Sequence, residues 1–201
     1  MRFFRSPLIA RLLFSAGQWK GDDNSAVYLT FDDGPTPEVT PWVLNFLKEE
    51  KIKATFFLIG KNVQQNPEIV TQLLADGHRI GNHTMNHECG TKSSLNAYID
   101  SVNQADQFME TELFRPPYGK ITMNQFRTLL SKGKKIVFWS WISYDFDKNI
   151  SPQEIIQKAK KIRGGDILVF HDSLKGFTNM SKSLKPIVDE IRSKKMEFKT
   201  L

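Results

Sequence analysis

A single cysteine, Cys89, stands in 201 residues, so no disulfide can form within the chain and cysteine usage gives no sign of an oxidising compartment. No apolar run approaches the ~20 residues that a membrane-spanning helix needs. No repeat recurs at a fixed period, and no low-complexity linker divides the chain. No glycine-rich phosphate loop follows the first apolar run, which argues against a nucleotide-binding open sheet. Aromatic residues do not interleave with the lysines, so the net charge of +6 has no stacking platform for nucleic acid beside it. The basic groups fall near predicted helix ends, where cations complement the helix dipole: Lys132, Lys134 and Lys135; Lys158, Lys160, Lys161 and Arg163; Lys194 and Lys195. This charge reads as solvated surface, and no nucleic-acid partner is expected.

At the N-terminus, Arg2, Arg5 and Arg11 are interspersed with Phe3, Phe4, Leu8, Ile9, Leu12, Leu13 and Phe14. Arg11 interrupts what would otherwise be the apolar core of a signal peptide. Residues 1–25 are therefore expected to form a basic amphipathic segment packing on a single domain of residues 26–201, with any membrane contact confined to residues 1–20. The expected protein is a monomer, cytoplasmic or membrane-peripheral, with the cell envelope as the alternative.

Along the chain, strands are expected at 26–29, 54–58, 79–82, 113–115, 135–141, 166–170 and 197–200. Helices are expected between them. One starts at Thr36-Pro37-Glu38 and runs to about residue 50; others begin at Asn66-Pro67, Ser94, Thr122 and Ser151-Pro152, and the last covers about 184–195. About seven alternations of strand and helix argue for parallel βαβ units, in a barrel or an open sheet.

The polar residues fall just past the ends of these strands: Asp32 and Asp33, His83 and His87, Arg115, Asp145, and His171. In a β/α barrel those ends converge on one face, where active sites are built. Asp32 and Asp33 are neighbouring carboxylates that repel each other, and a cation would hold both ionised. His83 and His87, spaced i, i+4, would present both imidazoles on one side of a helical turn. With a carboxylate they make a two-His, one-carboxylate set with open positions, suited to hydrolytic zinc, and equally to non-haem iron or another divalent metal. Cys89 is near enough in sequence to weigh as a ligand, but a buried inert thiol is the commoner state. Asp33 is then the ligand and Asp32 the base. Arg115 holds Asp32 ionised, His171 stands opposite as the acid, and Asp145 fixes its tautomer.

Three stretches carry a resemblance. Thr30-Phe31-Asp32-Asp33-Gly34, His83-Thr84-Met85-Asn86-His87 and Arg115-Pro116-Pro117-Tyr118 resemble, in order and spacing, the first three motifs of the polysaccharide deacetylases, the NodB-homology or carbohydrate esterase family four. The resemblance runs from about Ala26 onward. It implies an α/β fold, a deformed (β/α) barrel of about seven parallel strands. It also implies a divalent metal, zinc being the expected ion, and removal of acetyl groups from an N- or O-acetylated glycan. By the same resemblance Asp32 is the base, Asp33, His83 and His87 are the ligands, Arg115 tethers Asp32, and His171 is the acid backed by Asp145. Tyr118 lends its backbone N–H to the developing oxyanion.

Two motifs depart from the family. Its fourth reads Asp-x-x-Asp-Trp, where this chain has Ile142-Ser143-Tyr144-Asp145-Phe146. Its fifth reads Leu-x-His, where this chain has Val169-Phe170-His171. The catalytic groups are kept, while two walls of the acyl pocket, Phe146 and Val169, are smaller. The competing readings are an amidase of a small cyclic amide or ureide and a catalytically silent glycan-binding module; retention of both Asp32 and His171 counts against silence.

Overall fold

The computed structural model describes residues 3–201; Arg2 of the N-terminal segment lies outside them. A curled sheet of parallel strands is wrapped by helices, in the path β5-β4-β3-β2-β1-β7-β6, with β8 added on β1. The strands are β1 (Ala26–Asp32), β2 (Thr55–Leu58), β3 (Arg79–Asn82), β4 (Leu113–Phe114), β5 (Lys135–Ile136), β6 (Trp141–Ile142), β7 (Ile167–His171) and β8 (Glu197–Lys199). The helices are α1 (Leu8–Leu13), α2 (Thr40–Glu49), α3 (Gly60–Gln65), α4 (Pro67–Ala75), α5 (Leu95–Asp106), α6 (Met123–Ser131), α7 (Pro152–Ala159) and α8 (Leu174–Ser193). This is the deformed β/α barrel that the motifs implied. Among the described residues, no helix is long and apolar enough to cross a membrane.

β1 is central, and all seven of its residues are buried. Its period of two divides them between two cores. Val27, Leu29 and Phe31 face outward, where Val43 and Leu47 of α2 and Leu184, Ile187 and Ile191 of α8 pack on the sheet. Ala26 and Tyr28 face into the barrel with Phe57, Leu113 and Ile167. The same alternation turns Thr30 and Asp32 inward. Parallel pairing of β1 with β7 then sets Asp32 directly opposite His171.

β5 and β6 end the strand path on its two sides, and residues 3–20 run along the gap between them. Arg5 pairs with Trp141 in an antiparallel bridge and Gln18 with Val137 in a parallel one. Phe4 is buried against Trp141 and Tyr144, and Trp19 stacks on Phe138 with ring centroids 4.2 Å apart. Arg5 reaches the fully buried Asp166 at 2.8 Å. The packing comes from residues that flank α1; the helix itself buries no side chain and leaves Leu8, Ile9, Leu12 and Leu13 exposed.

Several elements differ from the sequence expectation. The strand expected over 135–141 is two strands, β5 and β6, because residues 137–140 cross the gap and bond to the N-terminal segment and to β7. The helix expected from Thr36 begins at Thr40, with Pro41 in its first turn. Thr36 instead closes a turn, its N–H donating to the Thr40 hydroxyl. α3 was not expected. α8 starts ten residues before the expected boundary, and its first half is rich in residues that disfavour helices, including Gly176 and Asn179. Gly176 is required there, because a Cβ would stand 2.5 Å from the His171 carbonyl oxygen.

Candidate active site

β1 ends at Asp32 and the chain turns at Asp33, whose φ of 82° is left-handed. Gly34 follows, joined to Pro35 by a cis peptide. Its N–H donates to Asp172 Oδ1 at 3.1 Å, and a Cβ at Gly34 would lie 2.1 Å from Asp172 Oδ2. The turn can therefore approach Asp172 only as glycine. The Thr40 hydroxyl donates to the other oxygen of Asp172 at 2.6 Å, and Asn62 Nδ2 donates to the Asp33 carbonyl. Burial, with the charges of Asp33 and Asp32 adding to it, pushes the Asp172 carboxyl up to about 8. Asp172 was missed in the sequence; the signal available was a second acid directly after the histidine that ends β7.

His83 and His87 lie together, but not on the helical turn that their spacing suggested. Thr84 and His87 are both left-handed, with φ of 65° and 62°, so the segment is a folded loop. Asn82, fully buried, holds it: its Oδ1 accepts the Thr84 N–H, and its Nδ2 donates to Val102 and Asp106. The imidazole centroids come to 5.0 Å. His83 Nδ1 is 2.7 Å from the Arg115 carbonyl oxygen, which fixes the N–H there and leaves the Nε2 lone pair facing Asp33. Burial depresses His83 to about 4, so it is neutral near pH 7.

Asp33, His83 and His87 offer ligand atoms that all lie within 4.8 Å of one another. Asp33 Oδ1 is 3.2 Å from His87 Nε2 and 3.8 Å from His83 Nε2, yet it is buried with no hydrogen-bond partner. An orphaned carboxylate oxygen facing two imidazole nitrogens fits a divalent cation. Burial works to raise the Asp33 carboxyl, but contact with His87 and the charges of the three neighbouring histidines hold it well below the usual range. Cys89 is outside this cluster and contacts the Thr91 hydroxyl at 3.4 Å.

Asp32, the adjacent carboxylate, points instead to Arg115. That guanidinium is fully buried inside the barrel, 3.9 Å over the Phe57 ring. Its Nη1 donates to Asp32 Oδ1 at 2.6 Å and to Thr30 Oγ1 at 2.7 Å, and it reaches the carbonyls of Phe138 and Val137. Across from Asp32, Asp145 receives the His171 ring: Oδ1 accepts from Nδ1 at 2.7 Å, and Oδ2 accepts the His171 backbone N–H at 2.9 Å. Burial opposes charge on His171, but Asp145 in direct contact, helped by Asp33 and Asp32, raises it to about 9. The ring therefore keeps a proton near neutral pH.

Phe146 stands edge-on to the His171 ring at 4.7 Å and is partly exposed. Val169 is fully buried on β7, two residues before His171 and so on the same face. Tyr118, left-handed at φ 61°, places its ring 4.6 Å from that of His87. Asp33, Thr84, His87, Tyr118 and Tyr144 all hold left-handed backbones, strain of the kind that gathers at functional sites. Ten sequence-nominated residues thus surround one end of the barrel: two carboxylates with separate partners, two imidazoles on one of them, and a protonated imidazole opposite.

A family model described as polysaccharide deacetylase matches residues 20–137. A peptidoglycan-N-acetylglucosamine deacetylase of Bacillus cereus is 37% identical over 191 residues, 91% of this chain and 90% of that one. A chitooligosaccharide deacetylase of Bradyrhizobium is 33% identical over 80% of this chain and 77% of its own. Among solved structures, the Bc1960 peptidoglycan N-acetylglucosamine deacetylase in complex with 4-naphthalen-1-yl-N-oxidanyl-benzamide superposes with a TM-score of 0.88 at 30% identity, covering 98% of this chain and 95% of that one. A CE4 family pseudoenzyme from Bacillus anthracis shares the fold at 21% identity, with a TM-score of 0.81 and coverage of 91% and 66%. Since an inactive relative has this barrel, the side chains at the rim must carry any argument for activity.

Proposed function

This chain belongs to the polysaccharide deacetylase family, and from that premise we propose that it is a metal-dependent hydrolase removing acetyl groups from an N-acetylated glycan. The observation that carries the reading is the division of labour at the rim: Asp33 turned toward His83 and His87, Asp32 toward Arg115, and His171 toward Asp145. Asp33, His83 and His87 hold the metal, with zinc suited to their nitrogen and oxygen donors. The 30% identical structure is in complex with an N-hydroxy amide, a class of compound that chelates metal ions, which supports the metal-dependent reading. When bound, the cation supplies Lewis acidity, polarising an acetyl carbonyl and acidifying water.

Asp32 accepts the proton that the attacking water gives up, and Arg115 holds its carboxylate in position. The Tyr118 backbone N–H donates to the carbonyl oxygen as negative charge develops. The C–N bond then breaks, and His171 Nε2 delivers a proton to the departing sugar amine. Asp145 on Nδ1 keeps the ring in the donating form. Phe146 and Val169 bound the acyl group. The products are acetate and a glycan with a free amine. N-acetylated hexosamine is the proposed unit, since the relatives are named for N-acetylglucosamine and chitooligosaccharide.

Acetate release from chitooligosaccharides and from peptidoglycan, with and without a chelator, tests this. Release that the chelator abolishes and zinc restores is expected. Cleavage of cyclic amides or ureides with no acetate from any glycan would replace the reading with the amidase, and binding without turnover would replace it with the silent module.

A further inference from the structure

Beside the site lies a cleft of about 250 Å³ that no step above uses. Tyr118, Trp139, Ile142 and Tyr144 line it together with the N-terminal residues Phe3, Pro7 and Ala10. It is continuous with the catalytic rim, because the exposed Tyr118 ring that borders it also contacts His87. The cleft is also built in advance. Trp139 is seated against Gly119, where a Cβ would stand 2.7 Å from the indole. The Tyr144 hydroxyl donates to the Phe3 carbonyl, and Phe4 and Arg5 anchor the N-terminal wall through Trp141 and Asp166. Ile142, where the family motif has Asp, adds an apolar side chain to this lining.

Among the described residues, no charged side chain lines this cleft. Its aromatic surfaces suit a neutral ring with an apolar C–H face and polar edges, and its volume suits one ring, below the about 300–1,000 Å³ of drug-sized sites. Resting on the deacetylase reading, we infer that the cleft is a sugar subsite: it holds a neutral pyranose of the glycan next to the reacting unit, with residues 3–10 as one wall. The N-terminal segment then has two roles, filling the gap between β5 and β6 and setting the length of glycan that the enzyme prefers.

Ala10→Phe fills the cleft from a half-buried helix position, and Phe3→Ala removes part of its wall. Two readouts separate the subsite from the reaction. In titrations followed by the fluorescence of Trp139 and Trp19, chitopentaose should bind about tenfold more weakly to Ala10→Phe and several-fold more weakly to Phe3→Ala, the scale of lost apolar contacts in a pocket. In turnover, the ratio of kcat/KM on chitopentaose to that on 4-nitrophenyl acetate should fall by a similar factor, through KM. Binding that is absent in the wild type, or unchanged in both variants, overturns the subsite whatever the activity. Variant-sensitive binding with no acetate release supports the subsite and overturns the deacetylase reading instead.

Discussion

Replacing Arg115 with leucine tests how the barrel interior holds the base. The guanidinium has no exposed surface and donates to Asp32 Oδ1, Thr30 Oγ1 and two backbone carbonyls, with the Phe57 ring beneath it. Leucine leaves the Asp32 carboxylate buried without its cation, and removing one partner of such a pair costs ~3–5 kcal/mol. For a chain of this size each kcal/mol moves Tm by about 2–4 °C, so a fall on the order of 10 °C is expected. Much of that cost is the stranded carboxylate and not the lost arginine. Asp32→Asn in the same protein should therefore recover part of it. The assay is chemical or thermal unfolding of wild type, both single variants and the double variant, all metal-free. A coupling of at least ~1 kcal/mol is expected, within the range for groups in contact. A loss under ~1 kcal/mol for Arg115→Leu, or strict additivity, would refute the claim that this pair is the main interaction at Asp32.

In metal-free protein, His171 is raised from 6.5 to about 9, an interaction on the order of 3 kcal/mol. A raised histidine stabilises fully below its unfolded value and loses that contribution as pH climbs to the folded one. The stability gap between wild type and His171→Gln should thus be widest below about pH 6.5 and close toward pH 9; a gap that is flat across this window would contradict the ion pair with Asp145. The reduced volume at Phe146 and Val169 should make the acyl pocket tolerant, since one methylene is worth only ~1–3 kcal/mol of discrimination. Phe146→Trp/Val169→Leu should penalise propionylated chitooligosaccharide more than the parent does, and an unchanged acetyl-to-propionyl ratio would remove these residues from the pocket.

The barrel was legible because its strands are apolar runs with polar residues at their ends, a pattern that β1 shows most plainly from Ala26 to Asp32. The histidine loop was legible in content but not in conformation. Spacing alone suggests a helical turn, whereas left-handed backbones at Thr84 and His87, unmarked by glycine, produce a loop braced by Asn82. The division of residues 135–141 was hidden for a different reason. Ile136 to Trp139 is an unbroken apolar stretch, and only long-range pairing with Gln18 and β7 reveals where the strand breaks. Tertiary context also extends α8 through Gly176 and Asn179, whose side-chain and space requirements concern His171 and Asp145 and not helix propensity. Asp172 went unread because its partners, Gly34 and Thr40, lie more than 130 positions away.

The central claim is that two adjacent carboxylates do different work. Metal content and acetate release should be measured together on wild type, Asp32→Asn and Asp33→Asn. Asp32→Asn is expected to retain about one divalent ion per chain while turnover falls at least ~10²-fold, the low end for losing a general base. Asp33→Asn is expected to lose ion and turnover together. If Asp32→Asn lost the metal as completely as Asp33→Asn, or if either variant turned over at the wild-type rate, the assignment of base and ligand would be contradicted.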